Sequence, residues 1–326
     1  MNPLYYFKQE SLYKNELNRI AEEYRIPYFF IRMDCFSCKV IYGINPSHYI
    51  AFQFYKLRGR ERTRYVTARK SERIERAFNI APRSEKDQIG KKALFNKTFA
   101  QFVQRDWLFV PDATEEEVDT FLKRHDKIIV KPNTLTQGEG VHLLSKEELE
   151  NGVHAFYIRA VSEDYLLETF IKQHPILNTV NPSSVNTLRV CSVRDTKGKV
   201  HIVGASLRAG GAGSVVDNLH AEGVQYPVDP ESGIIIRGGF KHNGERDIYF
   251  HSSTGFKMIG LQIPNWESVI ETVKKAGTLL PNLRYIGWDI AVTEEGCEII
   301  EANIQQGFNG MQQDGVGKYN VIMQYI

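Results

Sequence analysis

The stretch from Arg284 to Ile304 constrains the fold most, because it has the pattern of two strands joined by a tight turn. Runs rich in β-branched and aromatic residues flank a polar turn, which predicts a β-hairpin. A three-residue loop from Glu294 to Gly296 would put the glycine where a positive φ is needed. That loop would pair Thr293 with Cys297, and this pairing defines the expected register of the whole hairpin.

Two acidic residues face each other in that register. Counting back from the turn places Asp289 opposite Glu301, and because side chains alternate along a strand, Asn303 falls on the same face. Paired residues lie roughly 5 Å apart, where like charges repel unless a cation compensates. Two carboxylates and an amide oxygen suit Mg²⁺, and Gly287 on the same face leaves room for a ligand. The alternative is an ordinary exposed hairpin whose acidic residues face water.

The composition is that of an ordinary soluble globular protein. The 326 residues are 42% hydrophobic and 25% charged, and the net charge of +2 argues against a strongly polyanionic partner. No apolar run approaches the about 20 residues of a membrane span, and the first residues lack the pattern of a signal peptide. Four cysteines are too few for a disulfide framework. We therefore expect a cytoplasmic protein in which Cys35 and Cys38 are small core residues.

A basic stretch runs from Lys56 to Arg76. Within it Arg58, Arg60, Arg62 and Arg64 alternate, so on a strand they would form one cationic face. Such a face could bind phosphate, an anionic membrane surface or RNA. The alternative is a solvated face whose charge is balanced by acidic residues elsewhere.

The rest of the pattern mixes helices and strands without regular alternation. Thr114 to Glu117 forms a capping box that opens a helix. Lys127 to Lys131 is predicted to be a strand, and Pro132 ends it. The other predicted elements are helices over 10–25, 84–104 and 265–280 and strands over 165–171, 187–194, 199–208, 226–237 and 285–303. This pattern predicts an α+β fold.

Lys131 closes its strand and precedes a polar loop that contains Gly138 and Gly140. No Gly-Lys-Ser/Thr follows, so the loop is not a Walker loop, and no helix begins at the glycines, so it is not a dinucleotide fingerprint. Glycine loops can still fold over phosphates through their backbone N–H groups. The chain therefore presents, in order, Lys97, Lys131, a glycine loop and the acidic hairpin.

That ordered set resembles the ATP-grasp superfamily of carboxylate–amine ligases, from about Leu94 to Gly310. The resemblance implies two α+β subdomains that grip ATP in an ATP-grasp domain over residues 96–326. The lid subdomain would span about 126–170 and the metal and substrate subdomain about 171–326. An N-terminal α/β region over 1–95 would precede them and bind a substrate or partner.

The resemblance also implies roles for individual residues. Lys97 and Lys131 match the two phosphate-binding lysines, and Thr136 to Gly140 is similar to the phosphate lid. Leu167 to Ile171 is similar to the segment between subdomains that contacts adenine. The implied nucleotide-binding residues are Lys97, Lys131, Gln137, Gly138, Gly140, Glu168, Thr169 and Ile171, and the implied Mg²⁺ ligands are Asp289, Glu301 and Asn303.

Four short motifs resemble a narrower branch, the sugar-transfer-associated ATP-grasp proteins. They are Ser184-Val-Asn-Thr-Leu-Arg189, Leu207-Arg208, Val216-Asp-Asn218 and Gly287-Trp-Asp289. There is one departure, because many ATP-grasp ligases carry an arginine at the position of Gly287. The charge that stabilises an acyl-phosphate is therefore expected from Arg189 and Arg208, since guanidinium suits phosphate and carboxylate. Asn218 or His220 is expected to reach the substrate.

The activity implied by the resemblance is an ATP- and Mg²⁺-dependent ligation. A substrate carboxylate would attack the γ-phosphate, and an amine would capture the resulting acyl-phosphate. The branch name suggests an amino acid or peptide joined to a sugar or surface-polysaccharide precursor as the substrate. Two alternatives stay open: a kinase on the same fold, and a non-enzymatic binder of RNA or anionic glycan. A nucleic-acid partner is not expected, because a binder has no use for two facing carboxylates.

Overall fold

The strands form two antiparallel sheets in the computed structural model, which describes residues 11–135, 138–211, 223–241 and 244–326. The small sheet has the order β1-β4-β2-β3 and the large sheet the order β11-β10-β5-β6-β7-β8-β9. The strands are β1 (Trp107–Phe109), β2 (Ile128–Pro132), β3 (His142–Leu143), β4 (Tyr165–Thr169), β5 (Thr187–Arg194), β6 (Val200–Ala209), β7 (Val224–Val228), β8 (Gly239–Phe240), β9 (Arg246–Ile248), β10 (Tyr285–Val292) and β11 (Cys297–Asn303).

Helices precede, connect and follow these sheets. The α-helices are α1 (Lys14–Glu23), α2 (Tyr28–Tyr42), α3 (Pro46–Ala51), α4 (Arg60–Thr63), α5 (Ala68–Phe78), α6 (Arg83–Gly90), α7 (Lys92–Thr98), α8 (Glu115–Arg124), α9 (Gly152–Ser162), α10 (Pro175–Val180), α11 (Trp266–Ala276) and α12 (Tyr319–Met323). Short 3₁₀ turns occur at Phe54–Lys56, Ala100–Phe102, Val110–Asp112, Glu147–Leu149 and Gly310–Gln312. The predicted α+β class is confirmed.

The small sheet is covered on one face by α8 and α9. Val118 of α8 and Phe156 of α9 pack with Val130 and Leu167 of the sheet in one apolar cluster. The predicted capping box is present, since the Thr114 hydroxyl accepts from the backbone N–H of the third helical residue, whose side chain bonds back. These two caps satisfy donors that a helix start leaves unpaired.

One face of the large sheet packs in the largest core cluster, whereas the opposite face is apolar near Val193 and Tyr285 and polar around Arg189 and Asp289. Leu188, Val190, Trp288 and Ile290 point into the largest core cluster, where they meet α11. The alternate residues of the same strands point to the other side, because side-chain direction has a period of two. The polar part of that side carries most of the chemically distinctive residues of the chain.

The N-terminal region is helical in its described residues 11–95, and the strands of the α/β pattern predicted for 1–95 are not seen in that described part. The alternating arginines do not lie on a strand, because Arg60 begins α4. Arg62 is buried and donates to both carboxylate oxygens of Asp34, at 2.8 and 2.6 Å. It also donates to the carbonyl of Phe54, at 2.8 Å. A buried charge needs such partners, and helical geometry supplies them.

Two other predicted elements are shorter than expected. The helix predicted over 84–104 ends at Gly90 and resumes as α7. The strand predicted over 226–237 ends at Val228, because the Asp229 carboxylate accepts the backbone N–H groups of Glu231 and Ser232 and forms a turn.

The predicted cysteine pair lies within α2. Cys35 and Cys38 are both fully buried there, as expected of small core residues. Burial raises the pKa of the Cys38 thiol to about 12, which keeps it protonated and unreactive. Among the described helices, none is long and apolar enough to cross a membrane.

Candidate active site

The acidic hairpin has the predicted contact and a different turn. Asp289 pairs with Glu301, as expected, but the first pair beyond the turn is Val292 with Cys297. Ile300 is an extra residue in β11, since the register shifts between Asp289 and its neighbour. The longer turn shifts the register by one residue and the bulge shifts it back by one, so the carboxylates still face one another. The bulge also changes the alternation, which leaves Ile299 in the core and puts Glu301 on the polar face.

Asp289 is held by two arginines from neighbouring strands. Arg189 lies directly opposite it on β5 and forms a bidentate pair, with 2.7 Å between Nη2 and Oδ2. Arg208 of β6 adds a bond from Nη1 to the same oxygen at 3.2 Å. Burial alone would raise the pKa of Asp289, but the two guanidinium groups outweigh it and hold the pKa well below its usual range. Asp289 is therefore ionised.

Glu301 has the opposite electrostatic environment. Burial, and then the charge of Asp289, raise the pKa of Glu301 to about 7. Asn303 donates its Nδ2 to Glu301 Oε1 at 3.2 Å. The predicted repulsion between the two carboxylates is thus present in the structure.

The space beside Gly287 is occupied by the chain itself. A Cβ at this position would lie 2.2 Å from Oε1 of Gln306, a buried residue of the segment that follows β11. The glycine is needed so that this segment can cross the polar face of the sheet. The expectation that Gly287 leaves room for a ligand is not met.

Lys131 contacts Glu168 across the small sheet. The Lys131 ammonium forms a short ion pair with Glu168, which is 1% exposed. Glu168 also accepts from Asn96 Nδ2 at 2.9 Å and pairs with Arg105. Burial would raise the pKa of Glu168, but Arg105 and Lys131 lower it well below its usual range. Glu168 is therefore ionised, and it binds the three side chains around it.

Lys97 lies away from the other candidate residues. It is exposed on α7 and pairs with Asp112 at 2.8 Å on the surface. Phe95 and Asn96 form the buried side of the helix, so the residue next to them points outward. The structure therefore does not bring Lys97 to Lys131.

Lys92 is the lysine that the sequence reasoning missed. It stands in the first turn of α7, whose backbone N–H groups bond to the carbonyl and side-chain oxygens of Asn133 just after β2. Its Nζ donates to the carbonyl of Pro132 at 2.8 Å. Burial lowers the pKa of Lys92, while the charges of Glu301 and Lys131 act on it in opposite directions, so it lies near both halves of the site. One signal was available: on a helix, residue 92 shares a face with buried Asn96.

The remaining predicted nucleotide residues are distributed as follows. Gly138 and Gly140 both have positive φ, of 76° and 71°, in the loop between β2 and β3. Thr169 ends β4 and its hydroxyl accepts from the backbone of Asp106 at 3.1 Å. Ile171 is buried just beyond. Thr136, Gln137, Asp217, Asn218 and His220 lie outside the described residues.

The donor set fits a hard divalent cation. Two facing carboxylates and an amide oxygen are oxygen ligands, which Mg²⁺ prefers. Burial and the charge of Asp289 raise the pKa of Glu301, and a bound cation would offset both effects. Within the described part of the chain, no group of three or more His, Cys, Asp or Glu side chains is arranged to hold a metal. A metal would therefore rely on Asn303 as its third protein ligand.

The site as a whole combines cations with a carboxylate pair. Arg189 and Arg208 bind Asp289, and the charge of Glu301 acts on Lys92 of α7, which in turn lies at the end of the strand that carries Lys131. Such an arrangement can hold a polyphosphate with its counter-ion and offset charge that develops on transfer.

One family model matches most of the chain. The family model described as "Sugar-transfer associated ATP-grasp" matches residues 79–321. No curated protein matches the chain.

Similar solved structures include the ATP-grasp ligase PsnB complexed with its minimal precursor. That structure is 14% identical, with 76% of this chain and 64% of that chain covered and a TM-score of 0.47. Another is N5-carboxyaminoimidazole synthetase from Staphylococcus aureus complexed with ADP. It is 8% identical, with 73% and 51% covered and a TM-score of 0.46. The chain thus spans less than two thirds of the length of each of these two proteins.

The family match extends from the end of α5 through the last helix and includes both sheets, the acidic hairpin and the candidate lysines. This chain belongs to the sugar-transfer-associated ATP-grasp family.

Proposed function

We propose that the protein is an ATP-dependent ligase that activates a substrate carboxylate as an acyl-phosphate and joins it to an amine. One observation carries the proposal: the paired carboxylates Asp289 and Glu301 share a sheet face with Arg189 and Arg208, and the charge of Glu301 acts on the buried Lys92 of α7. A structural salt-bridge cluster would not need a second carboxylate whose pKa is raised.

The site residues would have different roles, depending on where they lie. Lys131 and Lys92 would hold phosphate oxygens, and Lys92 takes the role that the sequence had assigned to Lys97. Mg²⁺ held by Asp289, Glu301 and Asn303 would supply charge that offsets the phosphates. The loop that contains Gly138 and Gly140 would cover the phosphates and exclude water.

The arginines would act on the reacting carboxylate. The carboxylate oxygen attacks the γ-phosphorus, ADP leaves, and the amine then displaces phosphate from the acyl carbon. Arg208 is half-buried and bonds to Asp289 through Nη1, and its guanidinium would also bind the substrate carboxylate or offset the developing phosphate charge. Arg189 is fully engaged with Asp289 and would hold that residue in place. Asn218 would contact the substrate.

The family name supports an amino acid or peptide linked to a sugar as the substrate class. Positioning and electrostatics would supply most of the rate, since no side-chain nucleophile is required.

The two lysines of α7 give a matched test. We expect Lys92→Ala to weaken Mg·ATP binding at least tenfold by calorimetry and Lys97→Ala to leave it unchanged, because Lys97 points to solvent. ADP release would then be screened with pools of amino acids, peptides and amino sugars. Amide product formed with ADP supports the ligase, whereas a stable phosphorylated product would identify a kinase. Equal binding by both variants would remove Lys92 from the site.

A further inference from the structure

Arg105 lies between the two sheets and belongs to neither. It follows the 3₁₀ turn Ala100–Phe102, just before β1, and its side chain is 2% exposed. A guanidinium group this deeply buried is costly unless all of its donors are used by well-placed acceptors. Its partners therefore indicate why the chain retains it.

On one side Arg105 binds the small sheet. Its Nη2 donates to Glu168 Oε1 at 3.0 Å, and its Nε lies 2.9 Å from Glu168 Oε2 as an ion-pair contact without hydrogen-bond geometry. Nη2 also lies 3.3 Å from the amide oxygen of Asn96. Glu168 is the residue that pairs with Lys131, so Arg105 fixes the carboxylate that orients a candidate phosphate-binding lysine.

On the other side Arg105 binds the large sheet. Its Nη1 donates to Glu298 Oε2 at 2.9 Å and to the carbonyl of Ile299 at 3.0 Å. Its Nη2 reaches the carbonyl of Ile300 at 3.3 Å. The backbone N–H of Arg105 donates to Glu298 as well, at 3.2 Å, so the link to β11 involves both main chain and side chain.

The two carbonyls on β11 are those of the bulge. Ile300 is the extra residue, and it is the reason that Ile299 faces the core while Glu301 faces Asp289. A bulge leaves backbone groups without their ladder partners, and such groups need other hydrogen bonds when buried. Arg105 supplies donors at that point of β11.

We infer that Arg105 is a positioning residue that sets Glu301 on the metal side and Glu168 with Lys131 on the phosphate side as one unit. Arginine suits this role because its planar fork reaches two carboxylates and two carbonyls at once. A lysine would keep the charge but could not make both sets of bonds. The inference rests on the proposed nucleotide and Mg²⁺ site for its functional meaning.

Arg62 provides a matched control. It is also a buried arginine with a bidentate carboxylate partner and carbonyl acceptors, but it lies in the helical N-terminal region. Arg105→Lys and Arg62→Lys are both expected to lower the thermal stability of the nucleotide-free protein. Only Arg105→Lys should change hydrogen exchange in β4 and β11 and the Mg²⁺ requirement.

The first measurement uses hydrogen exchange of the nucleotide-free full-length chain. Arg105→Lys is expected to speed exchange in β11 around Ile299 to Glu301 and in β4 around Glu168, relative to both wild type and Arg62→Lys. Unchanged exchange in both strands, or the same change in Arg62→Lys, would overturn the inference. This readout does not depend on nucleotide binding.

The second measurement titrates Mg²⁺ at a fixed ADP concentration and follows the thermal shift. We expect Arg105→Lys to raise the Mg²⁺ concentration for half of the full shift at least tenfold and Arg62→Lys to leave it within twofold. A wild-type protein with no Mg²⁺-dependent shift would defeat the proposed function, while the exchange measurement would still decide the role of Arg105. A normal Mg²⁺ requirement in Arg105→Lys would overturn the positioning role.

If Arg105→Lys does not fold, Glu298→Gln replaces it, because this change keeps the shape and weakens only the link to β11. The same two readouts apply, with an increase in exchange confined to β11 and a smaller rise in the Mg²⁺ requirement expected. No change in either would count against the inference.

Discussion

Glu301 faces Asp289 across the hairpin because Ile300, which lies between this pair and the turn, is an unpaired bulge residue of β11. Two buried carboxylates in this position interact unfavourably, and the structure distributes the cost unevenly. Asp289 is neutralised by Arg189 and Arg208, whereas Glu301 is hydrogen-bonded to Asp289 itself and to Asn303. The pair is therefore arranged so that one carboxylate stays charged and the other titrates near neutral pH.

The first prediction concerns the pH dependence of the metal-free protein. The pKa of Glu301 is raised from 4.5 to about 7 in the folded state, so folding holds this proton. The free energy of unfolding should fall as pH rises from about 4.5 to about 7 and stay level above that range, by at most roughly 3 kcal/mol. Glu301→Gln cannot lose a proton and should lack this component. Thermal melts in EDTA at pH 5 and pH 8 measure it, and an equal pH response in wild type and variant would contradict it.

The second prediction concerns metal-linked stability. A ligand that binds only the folded state stabilises it by RT ln(1 + L/Kd), where L is the free ligand concentration, so the gain rises with the logarithm of the affinity. Wild-type protein should gain thermal stability from Mg·ADP and lose that gain with EDTA. Glu301→Gln should be at least as stable as wild type at pH 8 without metal, yet show little or no gain from Mg·ADP.

These opposite responses distinguish a metal ligand from a structural acid. Loss of a structural acid would lower stability without metal and leave the gain from Mg·ADP intact. That second pattern in Glu301→Gln would remove the residue from the proposed site.

The third prediction tests Lys131. Its removal deletes a charge from the proposed phosphate site while Glu168 keeps its pairs with Arg105 and Asn96. Lys131→Ala should therefore weaken Mg·ATP binding at least tenfold, about 1.4 kcal/mol. Calorimetry measures the affinity. Lys127→Ala is the matched control, because that lysine stands at the other end of the same strand region over the ring of Phe170, and it should bind with wild-type affinity.

The fourth prediction concerns the basic stretch. Arg62 is buried against Asp34, and a buried pair that loses one partner is destabilised by about 3–5 kcal/mol, less here because Asp34 is about one third exposed. Arg62→Ala should therefore lower the free energy of unfolding by roughly 2–3 kcal/mol. Arg60→Ala, at an exposed position, should change it by less than about 0.5 kcal/mol. Urea unfolding of the two variants compares them, and equal stabilities would show that the buried pair contributes nothing.

The local patterns of the sequence determined a substantial part of this protein. The α+β class, the capping box at Thr114, the strand Thr187–Arg194 and the contact between Asp289 and Glu301 all follow from periodicity and turn chemistry. These signals act between residues that are close in the chain, so they are visible before folding. The hairpin contact was predicted through a turn that the structure does not have, and the bulge at Ile300 restored it.

Tertiary structure decided the features that depend on partners distant in the chain. Lys92, and not Lys97, lies at the end of the strand that carries Lys131, because α7 docks through its first turn onto Asn133. Arg62 is buried in a helix because Asp34 lies where it can accept both donors. Arg105 meets carboxylates of both sheets only after those sheets have formed. Each of these positions balances the cost of burying a charge against bonds to remote residues, and that balance cannot be read from neighbours along the sequence.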